Sequence, residues 1–169
     1  MAELTTTERL QPSLLDRLTD DEPDKTVESR DKRVMPLKRL RECVLRDLGW
    51  LLNTHGLGAV QDLSDYPLVS HSVVNYGVPA LTGTTLSSMK AVEMQAAVQQ
   101  AILDFEPRLI DKSLGIRVAV DQEKMSLNSL VFFIEADMWA QPLPERLYLR
   151  TEVDMEFGTI KIADVPGGR

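Results

Sequence analysis

The sequence holds a single cysteine, Cys43, among 169 residues. One thiol excludes an intramolecular disulfide and any cysteine-based metal site built from this chain alone. Nothing therefore argues for an oxidising compartment. Histidine is nearly as scarce: His55 and His71 are the two, both in loop-like sequence. A metal site needs three or four convergent ligands, and no carboxylate spacing completes one around them, so both read as exposed loop residues. No apolar run approaches the ~20 residues of a membrane span. The start, Met1-Ala2-Glu3-Leu4-Thr5, lacks the basic and apolar regions of a secretory signal. The chain is also short of positive charge, with 19 basic against 26 acidic residues and a formal net charge of −7. A protein that neutralises phosphates would show the opposite balance, so nucleic acid is disfavoured as a partner. Enzyme signatures are missing too: there is no glycine-rich phosphate loop, no G-x-S-x-G elbow and no H-E-x-x-H pair. What remains is a soluble, cytoplasmic-type composition, 43% hydrophobic and 27% charged.

Against those absences, several patterned segments stand out. Residues 1–35 are polar apart from one island, Pro12-Ser13-Leu14-Leu15-Asp16-Arg17-Leu18. Such a stretch cannot order itself alone, and it is expected to be a flexible segment. Its island can form one helical turn with Leu14, Leu15 and Leu18 on one face. That turn either packs back on the chain's own domain or serves as a short docking peptide for a partner. From about Pro36 to Asn53, Leu37, Leu40, Val44, Leu48, Leu51 and Leu52 keep the i, i+3, i+4 rhythm of a buried helical stripe. Pro36 suits the first turn, and Asn53 or Gly56 could end the helix in a left-handed cap.

Residues 56–86 read as loop with one extended piece, Ser72–Tyr76. A second helix spans about Ser88 to Glu106, its stripe being Ala91, Met94, Val98, Ala101, Ile102 and Phe105; Pro107 stops it. The period then changes to two. Ile116, Val118 and Val120 alternate with Arg117 and Ala119. The same alternation sets Leu130 to Met138, Leu147 to Met155, and Ile160 with Ile162 as four sequential strands. Short connections favour an antiparallel meander, and one apolar face per strand asks for helical cover. The fold class is α+β: two main helices on one face of a mostly antiparallel sheet of about four strands, residues 36–169, preceded by the flexible segment 1–35.

Phe105-Glu106-Pro107-Arg108-Leu109 joins the second helix to the sheet. Glu106 and Arg108 flank a proline that fixes the backbone, which makes either an exposed turn salt bridge of about 0–1 kcal/mol or a rigid charged element presented to a partner. Glu135 and Asp137 share a strand face, but alternation alone explains them. No acid–base pair stands out as catalytic.

Four motifs in order resemble the TssE family of bacterial type VI secretion systems: Pro12-Ser13-Leu14-Leu15-Asp16-Arg17-Leu18, Asp47-Leu48-Gly49-Trp50-Leu51-Leu52-Asn53-Thr54, Ser72-Val73-Val74-Asn75-Tyr76-Gly77 and Phe105-Glu106-Pro107-Arg108-Leu109. Their order and separation match over nearly the whole chain. The resemblance implies a non-enzymatic baseplate wedge component, similar to the small wedge protein of contractile phage tails, lying where sheath polymerisation starts. It implies that Glu106, Pro107 and Arg108 hold a helical bundle of larger wedge subunits, and that Leu14, Leu15 and Leu18 dock on a partner. Implied partners are TssF-, TssG- and TssK-like subunits and the sheath, on the cytoplasmic side at a membrane-proximal baseplate, with no cofactor, nucleic acid or membrane insertion. The match departs at His55, where a basic residue is expected after Asn-Thr; histidine is largely neutral near pH 7. The alternatives are a wedge protein of a phage tail or other contractile machine and, further off, a peptidoglycan hydrolase, a label such proteins have carried and these residues do not support.

Overall fold

The computed structural model describes residues 13–20, 23–25, 35–79, 88–119, 129–140, 143–154 and 157–165. Most of the expected flexible stretch, together with Val120 and Met155, lies outside them. Four strands, β1 (Gly115–Ala119), β2 (Ser129–Met138), β3 (Glu145–Asp154) and β4 (Thr159–Asp164), pair in sequence order as an antiparallel sheet. This is the expected meander. Alternation decides which face is buried: Ile116, Leu130, Phe132, Ile134, Leu147, Leu149, Val153 and Ile160 all point into the core. Thr151 occupies the same face and is also buried, and its hydroxyl donates to the Phe132 carbonyl at 3.1 Å. A polar atom that supplies its own acceptor costs little in such a place.

Two helices cover that face. In α2 (Leu37–Leu52) the buried residues are Leu40, Cys43, Val44, Leu48, Leu51 and Leu52; in α4 (Ser88–Phe105) they include Val98, Ala101 and Ile102. Helix α2 lies toward β4 and α4 toward β1. Two shorter α-helices are also found among the described residues, α1 (Leu14–Leu18) and α3 (Pro67–Ser70).

Three local expectations need correction. Ser72–Tyr76 is not extended: Val73–Asn75 is a turn of 3₁₀ helix, capped by the Ser72 hydroxyl accepting from the Val74 N–H. Its three-residue period was hidden by the β-branched pair Val73-Val74, which imitates a strand. Pro36 stands just before the first helical residue of α2, as its N-cap. Neither Asn53 nor Gly56 is left-handed; their φ angles are −96° and −68°. The end of α2 is closed instead by the Asn53 side chain. Its Nδ2 donates to the Gly49 and Ile160 carbonyls at 2.8 and 2.9 Å, while its Oδ1 accepts from the Ile160 N–H at 2.8 Å. One amide thus satisfies the helix terminus and the edge of β4 together. Asn53→Ala is expected to lower the unfolding free energy by about 2 kcal/mol, since two backbone groups of Ile160 lose their partner. Urea titration of the variant checks this, and an unchanged midpoint would mean that water replaces the amide without loss.

Candidate functional site

Pro107 bars the helical conformation at the residue before it, so α4 ends at Phe105 and the chain turns. The turn is tied down at both ends. Leu109 N–H donates to the Glu106 carbonyl at 3.1 Å, Ile110 N–H to Asp137 at 2.8 Å, and Trp139 N–H to the Arg108 carbonyl at 2.7 Å. The backbone of this turn is therefore stitched to the end of β2, and the side chains of Glu106 and Arg108 are placed with little freedom.

They do not point outward as a pair. Glu106 is 3% exposed, Arg108 is half-buried, and Pro107 alone stands in solvent. Glu106 Oε1 accepts from the Arg108 N–H at 3.2 Å and from its Nε at 2.6 Å, while Oε2 accepts from Nη2 at 2.5 Å. A fork-on-fork pair of this kind is directional and strong. The pair is a salt bridge within the turn, but a buried one, not the exposed pair whose contribution would be small. Carboxylate and guanidinium are out of water because the turn folds back against α2.

Helix α2 supplies the second layer. Asp47 Oδ2 accepts from Arg108 Nη2 at 2.6 Å, and its Oδ1 accepts from Arg46 Nε at 2.8 Å. Arg46 reaches onward to Asp16 Oδ1 at 2.7 Å and lies over the exposed Trp50 ring, 5.0 Å from its centroid. Asp16 belongs to α1, where Ser13 and Asp16 form a reciprocal capping box. Its side chain is only 2% exposed. Two arginines from different elements are therefore enclosed by three carboxylates, Asp16, Asp47 and Glu106.

The charge states follow from this wiring. Burial pushes the Asp16 carboxyl up, but the Ser13 hydroxyl and the Arg46 guanidinium more than reverse that, and its pKa falls to about 2. Burial alone would lower the Arg108 pKa; the Glu106 and Asp47 carboxylates outweigh it and hold the group above the ordinary guanidinium value. The Tyr76 hydroxyl and the Cys43 thiol both move up, first through burial and then through the adjacent acids. Asp16, Arg46 and Arg108 are thus each held further toward their charged forms.

An open groove runs beside the cluster, lined by Leu14, Leu15, Tyr76, Phe105, Pro107 and Arg108 among others. Tyr76 meets Phe105 edge to face, with centroids 5.2 Å apart. Leu14 and Leu18 are 70% and 73% exposed, and Leu15 is also exposed. The expected apolar turn therefore exists; it is fixed to the domain through its acid, while its leucines stay exposed, two of them along the groove. This mixture of exposed apolar side chains around a fixed ionic cluster suits a macromolecular contact. It offers no nucleophile–base pair.

The other acidic candidates have structural partners. Arg146 bonds both Glu135 and Asp137 across the outer sheet face. His71 Nδ1 lies 2.8 Å from Asp104, and His55 is exposed. No group of three metal-ligating side chains converges among the described residues, and no described helix is long and apolar enough to cross a membrane.

Reasoning from the sequence found Glu106, Arg108 and the three leucines but missed Asp16, Arg46 and Asp47. The Ser-x-x-Asp capping spacing was a usable signal for Asp16. Nothing in the helical periodicity separates Arg46 and Asp47 from the other charged residues of α2.

Residues 38–143, more than half of the chain, match the family described as "Baseplate wedge protein gp25". No curated protein and no solved structure gives a significant match.

Proposed function

The chain belongs to the baseplate wedge protein gp25 family, and from that premise we propose that it is the TssE-type wedge subunit of a type VI secretion baseplate. In this reading it is a structural part, not an enzyme. It stabilises the wedge, contacts TssF-, TssG- and TssK-like subunits, and helps to start the sheath at a membrane-proximal, cytoplasmic baseplate. Residues 36–169 act as the wedge domain and residues 1–35 as a segment carrying the leucine-bearing docking peptide.

The observation that carries this reading is the surface formed by Leu14, Leu15 and Leu18 beside the Glu106-Pro107-Arg108 turn. Exposed leucines on a helix of five residues contribute little to the chain's own core, and a partner would gain by covering them. The leucine-bearing N-terminal segment favours the secretion version over the wedge of a phage tail, to which the same family match applies.

The pair Leu14→Ala and Leu18→Ala tests the assignment. Because both side chains are exposed, stability should stay within about 0.5 kcal/mol of the parent. Co-purification with the other wedge subunits should drop several-fold. Undiminished recovery of the assembled wedge would remove the leucines from the interface.

A further inference from the structure

The three acids of the ionic cluster do not meet Arg108 equally closely. Glu106 and Asp47 meet Arg108 at 2.5–2.6 Å. Asp16, the third acid, lies 3.7 Å from Arg108 Nη1. That nitrogen is buried and has no hydrogen-bond acceptor among the described residues. Asp16 is also the acid held by the weakest element. Helix α1 has five residues and adds no apolar side chain to the core. Apart from its capping box, the Asp16 carboxylate reaches the domain through Arg46 and the Cys43 thiol, both polar contacts on α2.

Removing Asp16 would leave two arginines facing two carboxylates, with Arg46 Nη2 and Arg108 Nη1 turned toward one carboxylate-sized position at the edge of an apolar groove. We propose that Asp16 is an intramolecular stand-in for a carboxylate of a partner subunit, and that α1 leaves this position when the partner seats. The partner this fits is a segment that carries one Asp or Glu among apolar side chains. Its acid would close on Arg46 and Arg108, and its apolar groups would cover Tyr76, Phe105 and Pro107. Charge complementarity selects it: a basic segment would meet guanidinium groups, and a wholly apolar one would leave Arg108 Nη1 buried without an acceptor.

The exposed leucines then acquire a second meaning. A helix fixed to its own domain by apolar packing would need that packing broken before it could move. Helix α1 is held mainly by a polar latch and its leucines are exposed, so little apolar packing has to be broken as it passes to the partner. The carboxylate and the leucine helix change places in one step.

This inference rests on the wedge reading, and Asp16→Asn separates the two. The variant keeps the size of the side chain and removes the charge that holds α1. The full-length chain and the variant are titrated with a purified wedge subcomplex lacking this subunit, and amide NMR of each reports whether the domain and α1 keep their places. The expected result is an unchanged domain, displaced α1 resonances and binding about tenfold tighter, because the partner no longer competes with an internal occupant. Equal or weaker binding by Asp16→Asn would overturn the stand-in and leave α1 as a fixed part of the interface. Failure of both proteins to bind the subcomplex would bring down the wedge reading, and this inference with it.

Discussion

Glu106→Ala is expected to cost about 3–5 kcal/mol of stability, the range seen when one member of a buried ion pair is removed. Glu106 supplies the acceptors for the Arg108 N–H, Nε and Nη2. Without it a half-buried guanidinium keeps Asp47 as its one close acid, with Asp16 3.7 Å from Nη1. For a domain of this size the loss corresponds to a fall in melting temperature of about 10 °C. Pairing the change with Arg108→Met should recover part of it, because removing both charges leaves neither stranded. Calorimetry of the two variants decides the matter. A loss below about 1 kcal/mol in the single variant would show that water reaches the cluster and that the pair is a surface feature. Loss of wedge assembly in Glu106→Ala is therefore not by itself proof of a contact, and the exposed leucines are the cleaner probe of the interface.

The second large effect belongs to Gly77→Ala. Gly77 has φ = +130°, a conformation that side chains rarely adopt. A Cβ there would lie 2.3 Å from the Thr54 carbonyl oxygen and 2.8 Å from the Gly56 nitrogen. Both are backbone atoms engaged in holding the loop: Val78 N–H donates to Thr54 at 2.8 Å, and Gly56 N–H donates to Val78 at 3.2 Å. Neither can move without opening that clasp. Strain and overlap together should cost about 3 kcal/mol or more. The loop should also loosen, with faster hydrogen exchange at Gly58, whose N–H is held by Asn75 Oδ1. A near-native unfolding midpoint would mean that the backbone can relax around the added methyl group.

The sheet was legible because a period of two leaves few alternatives. Leu130 through Met138 and Leu147 through Val153 have one face that must be buried, and four such runs with short links can hardly avoid a meander. The helices were legible for the same reason at a period of 3.6. The segment from Leu57 to Tyr76 was not, because its order comes from helical turns too short to show a period and from side-chain hydrogen bonds between them. Asn75 Oδ1 accepts from Gly58 and Nδ2 donates to Ser70, contacts that leave no periodic trace. The candidate site was half legible for a related reason. Pro107 announced a fixed turn and Arg108 an isolated cation. That Glu106 faces inward depends on Asp47 meeting Arg108 across 61 positions of sequence, and one-dimensional spacing carries no record of that meeting.

The amide of Asn53 and the guanidinium of Arg41 have a consequence for how the domain comes into being. Asn53 holds Ile160 across 107 positions, and Arg41 grips Asp164 across 123 with bonds of 2.6 and 2.7 Å. Both reach from α2 to β4, which follows every other described element in the chain. During synthesis α2 emerges early and must wait with its terminus open and its arginine unmatched until β4 clears the ribosome. The domain therefore closes late and nearly all at once. A nascent chain interrupted before Thr159 would display the apolar face of α2, which makes an incomplete copy a substrate for quality control before it can reach a baseplate.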